Sequence, residues 1–232
     1  MFSYSKNYSC INFDKINKNN PLILIKKFLY KLTPLMVLFF YSPFIYANQI
    51  SDLTIEGVSI GDNLLEFLNE KEIIEGAEKT KNHYYYLKEP NKYSEVYIFK
   101  RFPIYDYVSV LFKRNKESNY FKKKKKYEIE LVRGEISFIN DFKGCLKKKN
   151  EVIEEVTSTF PGLKKSENLF SHPLDRTGRS TVDTTKFSFD NGDAIVLQCN
   201  DWEESFRLSN NYSEGFLFRI QKKEVDEWLS NY

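Results

Sequence analysis

The stretch SHPLDRTGRST, Ser171 to Thr181, gathers His172, Asp175, Arg176, Arg179 and Ser180 around Gly178. Arginines beside exposed backbone N–H groups can hold a carboxylate or phosphate, which makes His172, Arg176, Arg179 and Ser180 candidates for an anion site. Ser, His and Asp in one stretch also suggest a hydrolase working through the Ser171–Ser180 loop. A catalytic triad is defined by geometry, however, and proximity in sequence does not supply it. An ordered surface loop is the third reading.

A second charged stretch is FKKKKKYEIE, Phe121 to Glu130. Lys122 to Lys126 could hold phosphates while Tyr120 and Phe121 stack on bases. The alternative is a solvated hairpin loop whose lysines guard a sheet edge. Net charge decides against nucleic acid. The whole chain carries +3, but residues 1–47 contain six Lys and one Asp. The remaining 29 basic and 31 acidic residues leave the rest of the chain at −2. The basic excess therefore belongs to the leader. An anionic lipid or cell-wall polymer is the more credible partner for these lysines.

Cys145 and Cys199 are the cysteines beyond the leader. Cys145 falls near the stripe Phe142, Leu146, Val152, Ile153, Val156 and Phe160, which recurs at roughly helical spacing. In AIVLQC, Ile195, Leu197 and Cys199 alternate onto one strand face. Both sulfurs then point into one core. They form a disulfide if the compartment is oxidising, and otherwise two reduced thiols packed as small hydrophobes. No metal or cofactor is expected, because His83 and His172 have no CxxC or HxxxH companion.

The compartment is read from LTPLMVLFFYSPFIYANQ, Leu32 to Gln49. Lys26, Lys27 and Lys31 precede it, Pro34 and Pro43 interrupt it, and Ala47 closes it before a polar stretch. These are the parts of a secretory signal peptide, and the run is short for a membrane span of about 20 residues. An uncleaved anchor tethering the domain is the alternative, since Ile45 stands where a small residue is usual. Residues 1–47 are therefore expected to be an extension plus signal peptide, and residues 48–232 a single exported domain, periplasmic or secreted.

The elements that must position these groups follow from pattern. Asn69 with Glu72 reads as a helix cap, and Ser59 with Asp62 resembles a capping box. HYYYL, SEVYIFKRF, YVSVLFKR, YEIELV and EISFI read as strands, with Arg133-Gly134 as a turn or bulge between the last two. A long helix begins near Asn140 or Asp141 and stops at Pro161-Gly162. KKSENLFSHPLDRTGRS reads as a polar loop. KFSFDNGDAIVLQC reads as a hairpin turning at Asn191-Gly192. FLFRI is a further strand and KKEVDEWLSNY a terminal helix. Trp202 is expected to pack near the cysteine pair. The order gives an α+β domain: an antiparallel sheet with a long central helix and short N- and C-terminal helices packed on it, all on one face.

Three stretches together carry a resemblance: ISDLTIEGVSIGDNLLEFLNEKEI, HPLDRTGRSTV and FDNGDAIVLQCNDW. They resemble a family of small, uncharacterised bacterial envelope proteins exported with a signal peptide, over Asn48 to Trp228. The chain has Asn63 where such relatives have Ser, and Arg179 where they have Lys. The opening helix is also similar to small envelope-assembly lipoproteins and β-lactamase-inhibitor-like modules. The resemblance implies a binding role in the envelope and brings no activity with it. The expectation is a non-catalytic binding or structural module acting on a protein or an anionic envelope component.

Overall fold

The computed structural model describes residues 49–98, 102–113 and 127–231. The leader and the Lys122–Lys126 run lie outside the described residues, and the expectations placed on them go with them. The described residues belong to one compact unit.

The unit opens with a small hairpin, β1 (Thr54–Ile55) and β2 (Val58–Ser59). Its two-residue turn holds Glu56 and Gly57 at φ of 53° and 81°, the left-handed geometry such a turn requires. Ser59 and Asp62 form a local turn rather than opening an α-helix: Ser59 N donates to Asp62 Oδ2 at 2.8 Å. Asn69 caps α1 (Glu70–Lys79) by accepting from Glu72 N at 3.0 Å, while Asn69 N donates to Glu72 at 2.8 Å. This is the reciprocal cap that the sequence spacing anticipates.

Seven antiparallel strands then make one sheet: β3 (Tyr93–Ile98), β4 (Tyr107–Lys113), β5 (Ile129–Ser137), β6 (Lys164–Ser171), β7 (Thr181–Ser188), β8 (Ala194–Asp201) and β9 (Gly215–Gln221). Their spatial order is β3-β4-β5-β9-β8-β7-β6. Helix α2 (Phe142–Thr159) connects β5 to β6, α3 (Glu204–Asn210) connects β8 to β9, and α4 (Lys223–Leu229) follows β9. The protein is α+β.

Residues opposite one another on a ladder share a face, and residues along a strand alternate. One row therefore runs Val96, Val110, Val132, Ile220, Ile195 and Phe187 across six strands. These side chains are at most 2% exposed. Each contributes up to about 1.5–3 kcal/mol by burial. Helix α1 meets this face at Gly76, where an added Cβ would lie 2.9 Å from Val96 Cγ1. Helix α2 is tied to the same face by the Cys145–Cys199 disulfide. Asp141 caps α2 by accepting from Gly144 N at 2.9 Å, within the expected start.

Helix α4 departs from expectation. Val225 and Trp228 pack with Leu87, Tyr93, Leu111 and Leu131. By strand alternation, Tyr93, Leu111 and Leu131 belong to the opposite face. The C-terminal helix therefore does not join the others on one side, because its apolar residues match the second face.

Three further expectations are corrected. HYYYL is a succession of turns, not a strand. KKSENLF forms edge strand β6, exposed along its whole length, so it shows no burial alternation. YEIELV and EISFI are one continuous strand, β5, passing straight through Arg133-Gly134. Gly134 is there because Tyr105 lies against it: an added Cβ would sit 2.5 Å from the ring.

Candidate functional site

The face opposite α1 and α2 is polar at its centre. One row reads Tyr97, Ser109, Arg133, Arg219, Val196 and Lys186, and the next reads Tyr107, Glu135, Leu217, Gln198 and Thr184. A sheet face that is neither packed nor freely solvated needs walls. The Asn82–Tyr86 turns supply one, and the segment from Trp202 to Ser213, with His172 and Leu174, supplies the other. They enclose a cleft of about 480 Å³, within the size range of small-molecule sites. A larger depression of about 880 Å³ lies by Gln49 to Ser51, Phe160 to Leu163 and the Asp190–Asp193 turn. It lacks convergent buried charge, so the smaller cleft is the better candidate.

The floor is a bonded network. Glu95 is 2% exposed; Arg133 Nη2 donates to its Oε1 and His83 Nδ1 lies 2.8 Å from its Oε2. Burial pushes the Glu95 carboxyl upward, but the Arg133 guanidinium and the His83 bond outweigh it and hold it below its ordinary value. Arg133 also donates through Nε to Ser109 Oγ at 3.0 Å. Burial opposes its charge, and Glu95 more than restores it. Glu135, 4% exposed, accepts from the Tyr107 hydroxyl, which also lies 3.1 Å from Ser213 Oγ.

Arg219 is held differently. Its Nη2 donates to Gln198 Oε1 at 3.0 Å, and Gln198 passes the chain on to Asn200 Oδ1 at 2.7 Å. Its Nε is buried with no hydrogen-bond partner. Burial lowers its pKa, and the neighbouring Arg133 lowers it further. Asp226, the acid whose field reaches it, is already bonded to Lys186 and to Gln221.

The walls are aromatic. Tyr84, Tyr86, Tyr97 and Tyr107 are all raised above the usual phenol range, chiefly by burial, with Tyr97 at about 12. They remain protonated donors at neutral pH. The Trp202 ring lies tilted against His172 and Tyr212, at centroid separations of 4.1 and 4.8 Å, and its Nε1 donates to Ser213 O at 2.9 Å. Trp202 does not pack on the disulfide. Cys199 and Asn200 alternate, and Trp202 follows Asn200 onto the cleft side.

The residues singled out in the sequence divide between support and rim. Asp175 accepts from Thr177 N and Oγ1 and from Ser180 N and Oγ, at 2.7–2.9 Å. These bonds, that from the Ser180 hydroxyl foremost, hold its carboxyl far below the usual range. Ser180 is 0% exposed and accepts from Glu203 N at 3.0 Å. Its hydroxyl donates to Asp175, whereas His172 Nδ1 accepts from Leu174 N at 3.2 Å. The structure thus does not bring Ser180 and His172 together as a nucleophile and its base.

Arg179 pairs with Glu203 at 3.3 Å, and Glu203 caps α3 by accepting from Phe206 N at 2.8 Å. Arg176 is exposed. Of the four residues proposed for an anion site, only His172 lines the cleft. Burial drops its pKa to about 4, against a smaller upward pull from Asp175, so the ring is neutral at physiological pH.

The chain also contains one Gly-x-Ser-x-Gly spacing, Gly57 to Gly61, whose glycines serve as turn residues. Ser59 ends β2 and its hydroxyl donates to Leu53 O at 3.1 Å. The strand–turn–helix context of a nucleophile elbow is missing there.

Arg133, Arg219, Glu95 and Glu135 were missed because each sits in a strand whose apolar residues dominate the pattern. The available signal was alternation: Glu95, Arg133 and Arg219 each stand next to an apolar residue of the core face, Val96, Val132 and Ile220, and so belong to the other face. Among the described residues, no group of His, Cys, Asp or Glu side chains is placed to hold a metal ion, and no helix is long and apolar enough to cross a membrane. No protein-family model, curated protein or solved structure matches the chain.

Proposed function

We propose that the protein is an exported envelope module that binds a ligand in the cleft on the open face of its sheet, without turning it over. The observation that carries this reading is a floor of buried Glu95 and Glu135 and half-buried Arg133 and Arg219 beneath aromatic walls. Burying charge is costly and adds little to stability beyond what packed apolar residues would give. A bonded, buried polar network facing a cleft is how a binding site orients a ligand. The disulfide is compatible with export.

Residues 1–47 act as the signal peptide in this reading, and the resemblance to exported bacterial proteins agrees with it. The SHPLDRTGRST loop braces α3 through Ser180 and Arg179 and offers His172 to the rim, leaving Arg176 exposed for a larger partner. The ligand is an anionic envelope component.

Native mass spectrometry of the protein recovered from its own envelope fraction tests this. The expected result is an oxidised chain beginning at Asn48 with a non-covalent adduct that leaves on denaturation. A full-length chain with free thiols and no adduct would overturn it.

A further inference from the structure

Resting on that reading, we infer that the cleft recognises an acidic saccharide, with the sugar's carboxylate seated against Arg219. Arg219 lies directly opposite Arg133 across the β5–β9 ladder. Glu95 neutralises Arg133, whereas the side-chain partner of Arg219 among the described residues is the neutral amide of Gln198. Arg219 is half-buried and lines the cleft; its Nε is shielded from solvent, so its terminal nitrogens are the donors that a planar carboxylate can accept from.

The remaining lining sets what that carboxylate is attached to. Gln198, Asn200 and Glu135 offer amide and carboxylate groups around the fork, suited to several hydroxyls rather than to a hydrocarbon chain. Tyr97, Tyr107 and Trp202 present aromatic surface with a polar handle, the form that packs on the C–H face of a sugar ring while bonding its edge. Glu135 beside Arg133 disfavours polyanions such as multiply charged phosphates, because it places negative charge at the same floor. One carboxylate on a polyhydroxylated ring satisfies every group named.

Calorimetric titration of the full chain with galacturonate, with galactose, with inorganic phosphate and with polygalacturonate tests the inference. Galacturonate is expected to bind and galactose to bind at least tenfold more weakly. Arg219→Met is expected to weaken galacturonate about 10- to 100-fold, with Arg219→Lys between the two. Polygalacturonate binding without monomer binding places the same carboxylate chemistry in a polymer and supports the inference.

Equal binding of galactose and galacturonate, or tighter phosphate binding, overturns the acidic-saccharide assignment while leaving a ligand-binding cleft. No binding of any probe by a chain that still carries its envelope adduct also overturns the assignment but not the binding function. If the adduct is absent too, both fail. Unchanged thermal melting of Arg219→Lys guards against reading misfolding as lost recognition.

Discussion

Arg133 and Arg219 face each other across the β5–β9 ladder on one face of the sheet, yet among the described residues only Arg133 has a carboxylate bonded to it. Like charges opposite one another on a sheet are destabilising. The pair therefore separates a structural arginine from a recognition arginine, and the two should answer mutation differently. Arg133→Met strands Glu95 in the interior and is expected to cost about 3 kcal/mol or more in denaturant unfolding. Arg219→Met removes a crowded charge and is expected to leave unliganded stability within about 1 kcal/mol, or to raise it. Equal losses would contradict the distinction.

Acid stability draws in part on Glu95. Its folded carboxyl lies below the ordinary value of 4.5, so the unfolded chain takes up the proton first as pH falls. Its stabilisation is fully present above that ordinary value and disappears as pH drops through the lower folded value. Glu95→Gln should flatten the acid limb of a stability-versus-pH curve relative to the wild type. An unchanged limb would remove Glu95 as its source.

His172 is held neutral by its place against Trp202, at a ring separation of 4.1 Å. NMR titration should find its pKa at about 4. The unfolded chain protonates near 6.5, so this residue opposes folding progressively as pH falls from there toward 4. Trp202→Ala exposes the ring and should move its pKa upward toward 6.5. A wild-type value near 6.5 would contradict the packing.

The disulfide closes a separation of 54 residues between α2 and β8. In the chain-entropy picture its loss costs about 4 kcal/mol. Reduction, or Cys145→Ala with Cys199→Ala, should lower the urea midpoint accordingly. An unshifted midpoint on reduction would show that the cross-link constrains little.

Gly134 and Tyr105 form a steric pair. Gly134→Ala places a methyl 2.5 Å from the Tyr105 ring and should destabilise by about 1–3 kcal/mol, as overpacking does. Adding Tyr105→Ala should recover part of that loss, read as a non-additive double-mutant cycle. Simple additivity would rule out the contact.

Much of the scaffold was legible in the sequence. The Asn69–Glu72 cap, the start of α2, the Asn191-Gly192 hairpin and the facing of Cys145 and Cys199 rest on local chemistry, where spacing dictates geometry. The site was less legible. Arg133-Gly134 looks like a turn because glycine breaks strands, and the reason it does not do so here is Tyr105, about 30 residues away in sequence. The polar edge strand β6 escaped because exposure on both faces erases alternation. The SHPLDRTGRST loop drew attention because its polar residues are adjacent, yet Asp175 and Ser180 spend theirs on each other. Residues that do share the cleft come from strands far apart in sequence, and only strand register unites them.

The measurement closest to the central claim is ligand capture by a variant whose cleft is filled. Asn200 lines the cleft on β8, and Asn200→Trp should block it while leaving the core face untouched. Full-length wild-type and Asn200→Trp proteins, matched in melting temperature, are equilibrated with the same envelope extract and analysed by native mass spectrometry. The account expects the adduct on the wild type and at least a tenfold lower occupancy on the variant. Equal occupancy on both would place binding elsewhere and contradict the assignment of this cleft.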